Sequence, residues 1–249
     1  MTQTLKLGKK PARVDAVKFK FRDFLVKKSV PAVPKTFGHE TAFTDWGMLG
    51  NDQVGDCVIA GGMHEIMMWN KVCGKDVVFT EATAIKDYSR ITGYVPGDES
   101  TDQGTDMEAA AKYRRKTGFV DAKGRHHKIG AYLDLEPGNL QEHLLAAYMF
   151  EAVGEGFEMP TSAMDQFDAG KPWSIIKGSR IEGGHYIPLV AHRSNLVIVS
   201  WGRAQRVTSS FFKKYNDEAI VYLSQEMISG GKSPEGFDLP ALQDALKSL

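Results

Sequence analysis

The hydrophobic pattern of the chain changes from a helical period to a strand period, and this change restricts the fold classes open to it. Between residues 57 and 72, apolar and small side chains recur every three or four positions, and Gly74 ends the run. The segments 185–191, 196–201 and 219–223 are instead typical of short strands joined by turns. Helices followed by strands indicate an α+β protein with two segregated halves.

The length of 249 residues suits one large domain or two closely packed halves. Further elements are predicted as helices at Glu81–Thr92, Met107–Lys116 and 139–148, strands at 125–135 and 149–158, and a short helix after Asp238. The predicted organisation is an N-terminal arm at 1–35, a main domain at 36–228 and a tail at 229–249. Within the main domain, a helical half extends to about residue 124 and a β half follows from about residue 125.

The N-terminal arm is strongly basic. Against Asp15 and Asp23 it carries ten cationic residues: Lys6, Lys9, Lys10, Arg13, Lys18, Lys20, Arg22, Lys27, Lys28 and Lys35. Residues 17–22 alternate apolar and basic side chains, which predicts a strand with one buried face. Two interpretations stay open: an extended arm that packs across the acidic remainder of the chain, or a docking segment for a protein partner or nucleic acid.

Composition limits the partners and the cellular compartment expected for the protein. The net charge is zero, so the whole chain is not expected to be drawn to nucleic acid or to acidic membranes. Cys57 and Cys73 are the two cysteines, which suits a reducing compartment and predicts a cytoplasmic protein. Residues 1–10 have no apolar segment typical of a signal peptide, and no apolar run approaches membrane-spanning length.

Cys57 opens the first predicted helix. A helix N-terminus favours the thiolate and so is expected to lower the thiol pKa, and its free N–H groups can stabilise an oxyanion. Asn51 lies six residues upstream and can add a side-chain N–H, while Gly55 lets the chain pass close to a substrate. Asp56 is expected to raise the thiol pKa if its carboxylate faces the cleft. A buried structural cysteine is the alternative.

His185 begins an apolar strand directly after Gly183 and Gly184. A lone histidine there is most simply a core residue, but thiolate–imidazolium activation needs one group from each side of a cleft. Cys57 on a helix and His185 on a strand meet that need. His64, two turns along the helix from Cys57, is predicted to be a packing residue.

The order and spacing of these residues over positions 40–225 resemble the papain-like cysteine peptidases. The matching positions are Asn51, Gly55-Asp56-Cys57, His185 at 128 residues beyond the cysteine, and Ser200-Trp201-Gly202. The resemblance implies a papain-like α+β fold. In it, a helical half with a long central helix carries Cys57, and an antiparallel, barrel-like β half carries His185.

Residues 104–118 resemble the glycine loop and following helix of that family, and 145–157 with 164–170 resemble the helix, strand and glycine turn before its histidine. The resemblance implies that Gly104 contacts the backbone of a substrate and that Trp201 shields the histidine. It also implies that Cys57 attacks a peptide, isopeptide or amide carbonyl, as a hydrolase or acyl transferase. No cofactor and no metal are expected.

Three positions depart from the family pattern: Asn51 replaces the usual glutamine, Val58 replaces an aromatic residue, and Val199 stands where the histidine-orienting asparagine is expected. Strand alternation predicts that Ser200 points away from His185. Asn195 is predicted to lie on the same face of the strand as residue 199, but it is about four residues distant from it, roughly 13 Å along a strand. The orienting group is therefore left open.

Two alternatives to a peptidase remain. One is a papain-like binding or structural module whose catalytic residues have decayed, which the Val199 position and the basic arm favour. Short chains of this kind resemble phage or prophage accessory proteins, and a virion-associated location would follow. The other is an amidase acting on peptidoglycan.

Overall fold

The computed structural model describes residues 5–26, 28–225 and 237–246. The helices are α1 (Cys57–Val72), α2 (Glu81–Thr92), α3 (Met107–Lys116), α4 (Leu140–Phe150), α5 (Thr161–Asp168), α6 (Ser209–Tyr215) and α7 (Leu239–Leu246). The strands are β1 (Phe37–Gly38), β2 (Phe119–Val120), β3 (His126–His127), β4 (Ile129–Asp134), β5 (Val153–Pro160), β6 (Ile181–His192), β7 (Leu196–Ser200), β8 (Arg203–Val207) and β9 (Asn216–Ser224). Short 3-10 turns lie at Phe21–Phe24, Glu40–Ala42 and Glu99–Thr101.

One seven-stranded sheet dominates the second half of the chain. Its order is β4-β9-β5-β6-β7-β8, with β1 added on β6, and β2 and β3 form a separate hairpin. Each pairing among these named strands is antiparallel. The predicted α+β class is therefore confirmed. No helix in the described part of the chain combines the length and the apolar character that a membrane crossing requires.

Helix α1 is the central element because the sheet and the helices α2 and α3 pack on it, and most of its residues are buried. Two adjacent glycines make this close packing possible. A Cβ atom at Gly61 would lie 2.6 Å from Cδ1 of Tyr186 on β6, and one at Gly62 would lie 2.7 Å from Cε2 of Phe119. The helix therefore touches the sheet on one side and the α3–β2 corner on another.

A buried polar network joins the helices α1 and α3 to the sheet. Arg114 of α3 forms an ion pair with Glu65 of α1, with Nη2 and Oε2 2.7 Å apart. The Tyr186 hydroxyl donates to Oε1 of Glu65 at 2.5 Å, and the Arg114 guanidinium lies 4.0 Å from the ring centre of Tyr222 on β9. Both charged side chains are almost completely buried, so each depends on the other for compensation.

The strand predicted at residues 17–22 is wrong. Val17 and Phe21 are buried as the alternation requires, but Lys20 makes only a single bridge, to Asp134 on β4. The chain then turns into a 3-10 helix at Phe21–Phe24, which inserts both of its terminal rings into the core. Both rings are buried in this conformation, so packing overrides the period of two.

The arm packs across the body of the protein, as one of the two interpretations proposed. Arg13 binds Asp106 and Arg22 binds Glu136, at 2.6 and 3.0 Å. The predicted limits of the arm, the main domain with its two halves, and the tail stay predictions. The limit at 228/229 lies outside the described residues, and the short helix predicted after Asp238 corresponds to α7.

Candidate active site

Cys57 is the first residue of α1 and is 1% exposed. Its Sγ accepts a hydrogen bond from the backbone N–H of Tyr186 on β6 at 3.4 Å, so it lies at the junction of helix and sheet. The turn before it is fixed by Asp102, whose carboxylate accepts from the Gly55 N–H at 3.0 Å. The hydroxyl of Tyr88 donates to the same carboxylate at 2.5 Å.

His185 lies on β6 beside the same junction. Its ring stacks on Trp201 with centroids 4.3 Å apart and planes at 15°, which fits the shielding expected of Trp201. Its Nε2 shares a hydrogen bond of 2.8 Å with Oγ of Ser200. Its Nδ1 has no hydrogen-bond partner among the described residues. Cys57 and His185 both line one small cavity between α1 and the sheet.

The prediction that Ser200 points away from His185 is wrong. Residues 199 and 200 do face opposite sides, but Val199 is the one that turns away, into an apolar cluster with Trp46 and Val190. The strand ends at Ser200 and Trp201 has a φ of +43°, so the alternation that would put residue 201 on the face of residue 199 does not continue through it. The hydroxyl of Ser200 thus makes the contact with His185 that the family pattern assigns to an asparagine at the position of Val199.

Asn51 lines the same cavity as Cys57 and His185. Its side-chain Nδ2 donates to the carbonyl oxygen of Val54 at 3.2 Å, within the loop that leads to α1. The three residues predicted to be catalytic are therefore brought together. The amide of Asn51 is held by its own loop, close to the helix N-terminus at which an oxyanion would be stabilised.

The electrostatic state of the pair differs from the sequence-based expectation. Burial raises the pKa of the Cys57 thiol to about 12; the Tyr186 N–H opposes this shift and Asp56 adds to it. Burial also lowers the pKa of His185 to about 3. The lowered thiol pKa expected from the helix N-terminus is therefore wrong for this state, because desolvation outweighs the helix. Both groups are neutral at pH 7.

The N-terminal arm runs beside the pair and contributes to the burial of Cys57, whose pKa responds to Gly8 and Lys9. The N–H groups of Gly8 and Lys9 donate to the Gly184 carbonyl at 3.1 and 3.0 Å. On the other side, the Thr105 N–H donates to the Gly8 carbonyl at 2.7 Å, and the Lys10 N–H donates to the Thr105 carbonyl at 2.9 Å. The arm is thus held as an extended segment between β6 and the loop before α3.

Gly8 lies beside the thiol, and its backbone N–H, which donates to the Gly184 carbonyl, also lowers the Cys57 pKa. A Cβ atom at this position would lie 1.8 Å from the Gly55 carbonyl oxygen, so only glycine fits. Its carbonyl is turned to Thr105. The arm therefore presents an N–H rather than a carbonyl carbon to the nucleophile.

Gly104, predicted to contact the backbone of a substrate, lies against the backbone of the arm at Gly8. Its φ of +67° favours glycine, and a Cβ atom there would lie 2.3 Å from the Gly8 carbonyl oxygen. The hydrogen bonds to the arm, however, come from Thr105. The Tyr88 hydroxyl accepts from the Gly104 N–H at 3.0 Å and so ties this wall of the groove to Asp102.

Sequence reasoning missed Thr105, Tyr88 and Asp102. Nothing in the local pattern marks them, although Thr105 directly follows the predicted glycine. His64 also lines the cavity, but its Nε2 is bound to the Gly47 carbonyl at 3.0 Å and burial lowers its pKa to about 4. These contacts fit the packing role predicted for it.

Solved structures share this architecture at low sequence identity. Xylellain, a cysteine protease from Xylella fastidiosa, matches with a TM-score of 0.69 and 14% identity over 90% of this chain and 97% of its own. Procathepsin B S9 from Trypanosoma congolense gives 0.55 and 10% over 90% and 84%. The CMS1MS2 cysteine protease of Carica candamarcensis, in complex with E-64, gives 0.55 and 14% over 77% and 99%.

No family model and no curated protein matches the chain. The structural similarity shows the fold: the chain has the fold of the papain-like cysteine peptidases, with Cys57 on the central helix and His185 on the sheet.

Proposed function

We propose that the protein is a cysteine peptidase in which Cys57 and His185 form the reacting pair. The observation that carries the proposal is the shared cavity at the helix–sheet junction, where a helix-initial thiol, an imidazole with a bound hydroxyl partner and a stacked indole converge. If Cys57 and His185 served only as core packing, they would not need these polar groups beside them. The groups are the unbonded imidazole nitrogen, the hydroxyl of Ser200 and the side-chain amide of Asn51.

In the proposed reaction, His185 Nδ1 accepts the proton of the Cys57 thiol, and the thiolate attacks the carbonyl carbon of a peptide or isopeptide bond. The side-chain amide of Asn51 and the Cys57 N–H stabilise the tetrahedral oxyanion. The imidazolium then protonates the leaving amine, and water releases the acyl group from sulfur. Ser200 keeps the ring of His185 in the orientation that these transfers require.

The arm-bound state described here is latent under this proposal. Gly8 closes the approach to the sulfur, and burial keeps thiol and imidazole neutral. Displacement of the arm is expected to admit water and so to reduce the pKa shifts, since burial is the largest cause of each. The thiolate–imidazolium pair then becomes accessible, and a substrate backbone can use the hydrogen-bonding groups of Gly184 and Thr105 that the arm now occupies.

The test is a full-length Gly8→Val variant, in which the new side chain cannot fit against Gly55. Cleavage of a fluorogenic peptide library is expected to appear or to rise in this variant, and to vanish when Cys57→Ala or His185→Ala is added. Lys10→Ala is the matched control, because the Lys10 side chain is exposed and only its backbone bonds to Thr105. A folded Gly8→Val protein that cleaves no peptide contradicts the proposal.

A second candidate is a non-catalytic module, favoured by the filled groove and by the buried, un-ionised thiol. This candidate predicts that Gly8→Val exposes Cys57 without producing turnover. Purified peptidoglycan belongs in the same assay, since an amidase would release stem peptides from it.

A partner for the basic arm, the expectation that nucleic acid is not a partner, a phage origin and a cytoplasmic or virion location stay predictions from the sequence. The arm contacts on this chain are intramolecular and involve Asp106, Glu136 and Asp217.

A further inference from the structure

The side chain of Lys9 is completely buried in a pocket of the groove, although lysine is among the residues least often buried. Its ammonium donates to Oδ2 of Asp217 at 2.9 Å and to the Lys10 carbonyl at 3.0 Å. Oε2 of Glu218 lies 3.6 Å away. Two acidic residues on β9 thus compensate one buried cation.

The pocket has room for a long side chain because Gly156 forms its wall on β5. A Cβ atom at Gly156 would lie 2.7 Å from Cε and 2.8 Å from Cδ of Lys9. Any larger residue at that position would obstruct the aliphatic part of the lysine. The strands β5 and β9 pair directly at this point, with Gly156 opposite Glu218. The pocket is therefore part of the sheet and independent of the arm that fills it.

The pocket also opens beside the reacting pair. Lys9 follows Gly8, the residue over the thiol, so its side chain enters the sheet about one residue, or roughly 3.3 Å, further along an extended backbone. The wall on that side is β6, whose Gly184 carbonyl accepts from the Lys9 N–H. A peptide lying in the groove would therefore place one of its side chains at Gly156, Asp217 and Glu218.

The acidic residues of the pocket have a hydrogen-bond acceptor that Lys9 leaves unused. Oδ1 of Asp217 is buried and accepts no hydrogen bond from any residue that the structure describes. A buried acceptor without a donor is unfavourable, and a guanidinium has five N–H donors to offer where an ammonium has three. The pocket thus matches an arginine as well as a lysine, and it disfavours an apolar or acidic side chain, which would leave two partly buried carboxylates uncompensated.

We propose that the pocket formed by Gly156, Asp217 and Glu218 is a specificity subsite that selects a lysine or arginine side chain of the substrate, and that Lys9 blocks it in the latent state. The inference rests on the proposed peptidase function for its catalytic consequence, but basic side-chain recognition is measurable without turnover. The substrate class that follows is peptides or proteins with a basic residue adjacent to the bond over Cys57.

The first experiment measures binding alone. A synthetic peptide of residues 5–11 is titrated into full-length protein carrying Gly8→Val and Cys57→Ala, with calorimetry as the readout. Replacing the peptide lysine at position 9 by methionine is expected to weaken binding about 30-fold or more, since a buried charge partner is lost. The same replacement at position 10 is expected to change affinity less than about threefold, because that side chain is exposed. Equal effects at the two positions overturn the proposal.

The second experiment measures selectivity in the Gly8→Val protein. Peptides that differ only by Lys, Arg, Met or Glu at the subsite position are compared by kcat/KM. Lys and Arg are expected to exceed Met by about tenfold or more, and combined Asp217→Asn and Glu218→Gln to reduce this ratio to near one. Asp165→Asn with Glu182→Gln is the matched control, because it removes the same charge from a neighbouring part of the groove.

The two failures are distinguishable. If no peptide is cleaved but the position-9 lysine still governs binding, the peptidase function fails and the basic pocket stands. If peptides are cleaved with no preference for a basic residue, or if the control pair abolishes the preference equally, the subsite proposal fails and the peptidase function stands.

Discussion

At the scale of single residues, the partner of His185 is the finding with the largest chemical consequence. A serine hydroxyl binds Nε2 at 2.8 Å, while Val199 fills an apolar cluster. A hydroxyl can donate or accept, so it supports a neutral imidazole and an imidazolium equally. An asparagine side chain would use its carbonyl oxygen for the same task. Orientation of the ring therefore survives the change in residue type.

Ser200→Ala is expected to lower kcat/KM of the Gly8→Val protein about 10- to 100-fold, the loss that follows from one unsatisfied buried partner of about 1–3 kcal/mol. Ser200→Thr retains the hydroxyl and is the control, with most of the activity expected to remain. The pH–rate profile is the deciding readout. A shift of its acidic limb in the alanine variant indicates an altered His185, whereas an unchanged profile indicates a purely structural role for the serine.

The two cysteines are expected to react in opposite order in the latent and released states. In the wild-type chain, iodoacetamide at pH 8 is expected to modify exposed Cys73 and to spare Cys57, which is buried and has a raised pKa. In Gly8→Val, mass spectrometry of the digested protein is expected to find Cys57 modified as well. Modification of Cys57 at the Cys73 rate in wild type would contradict the closed groove.

Much of this site could be predicted from residue spacing. A glycine-preceded cysteine at a helix start and a histidine at a strand start are local patterns, and the fold unites them. Ser200 and Thr105 could not be predicted, because their roles depend on where β7 ends, at Ser200 before a left-handed Trp201, and on how a loop meets the arm. The reversal of the thiol pKa shift also depends on long-range packing.

At the scale of elements, the helices α2 and α3 begin and end at the predicted residues, since capping and amphipathic period are local signals. The elements β8, α5 and α6 were not predicted. Thr208 caps α6 by accepting a hydrogen bond from the Phe211 N–H. This capping signal is hard to recognise in the sequence, because the preceding strand, Arg203–Val207, contains few apolar residues and does not itself stand out. Tertiary contacts determine such short elements more than propensity does.

The packing of α1 leads to a prediction about Gly61. Gly61→Ala is expected to destabilise the protein by about 1–3 kcal/mol, because the added methyl group meets Tyr186 in a packed core. The measurement is the free energy of unfolding in urea. The control on the same helix is Met67→Ala, at a partly buried position. Asn70→Ala is not suitable, because the Asn70 side chain donates a hydrogen bond to the Ile66 carbonyl. A neutral or stabilising Gly61→Ala would contradict the described helix–sheet contact.

At the scale of the whole molecule, the contact between the helices and the sheet is partly ionic. Glu65 and Arg114 lie at its centre, and the Tyr186 and Tyr222 side chains complete the cluster. Burial raises the pKa of Glu65, an effect that Arg114 opposes. The pair therefore aligns the helices with the sheet as well as stabilising the fold, and the effects of removing its two members are expected to be non-additive.

Arg114→Leu alone is expected to cost about 3–5 kcal/mol of unfolding free energy, since it leaves the Glu65 carboxylate buried without its partner. Combining it with Glu65→Leu is expected to restore part of the loss. The exposed pair Arg22–Glu136 is the control, for which the equivalent double-mutant cycle should give little coupling. Additive effects at Glu65 and Arg114 would contradict the described pairing.

The backbone pairing of Gly8 with Thr105 and Gly184 has one further consequence. The groove is filled by a segment of the same polypeptide, so its occupancy is a first-order equilibrium and does not change on dilution. A tethered segment acts at an effective concentration in the millimolar range, the order of magnitude for a short linker. A competing peptide must therefore reach comparable levels, or the tether must be cut. Under the proposed peptidase function, activation by opening alone is expected to proceed at a rate that does not change with protein concentration, whereas cutting of the tether by a second copy would accelerate as concentration rises.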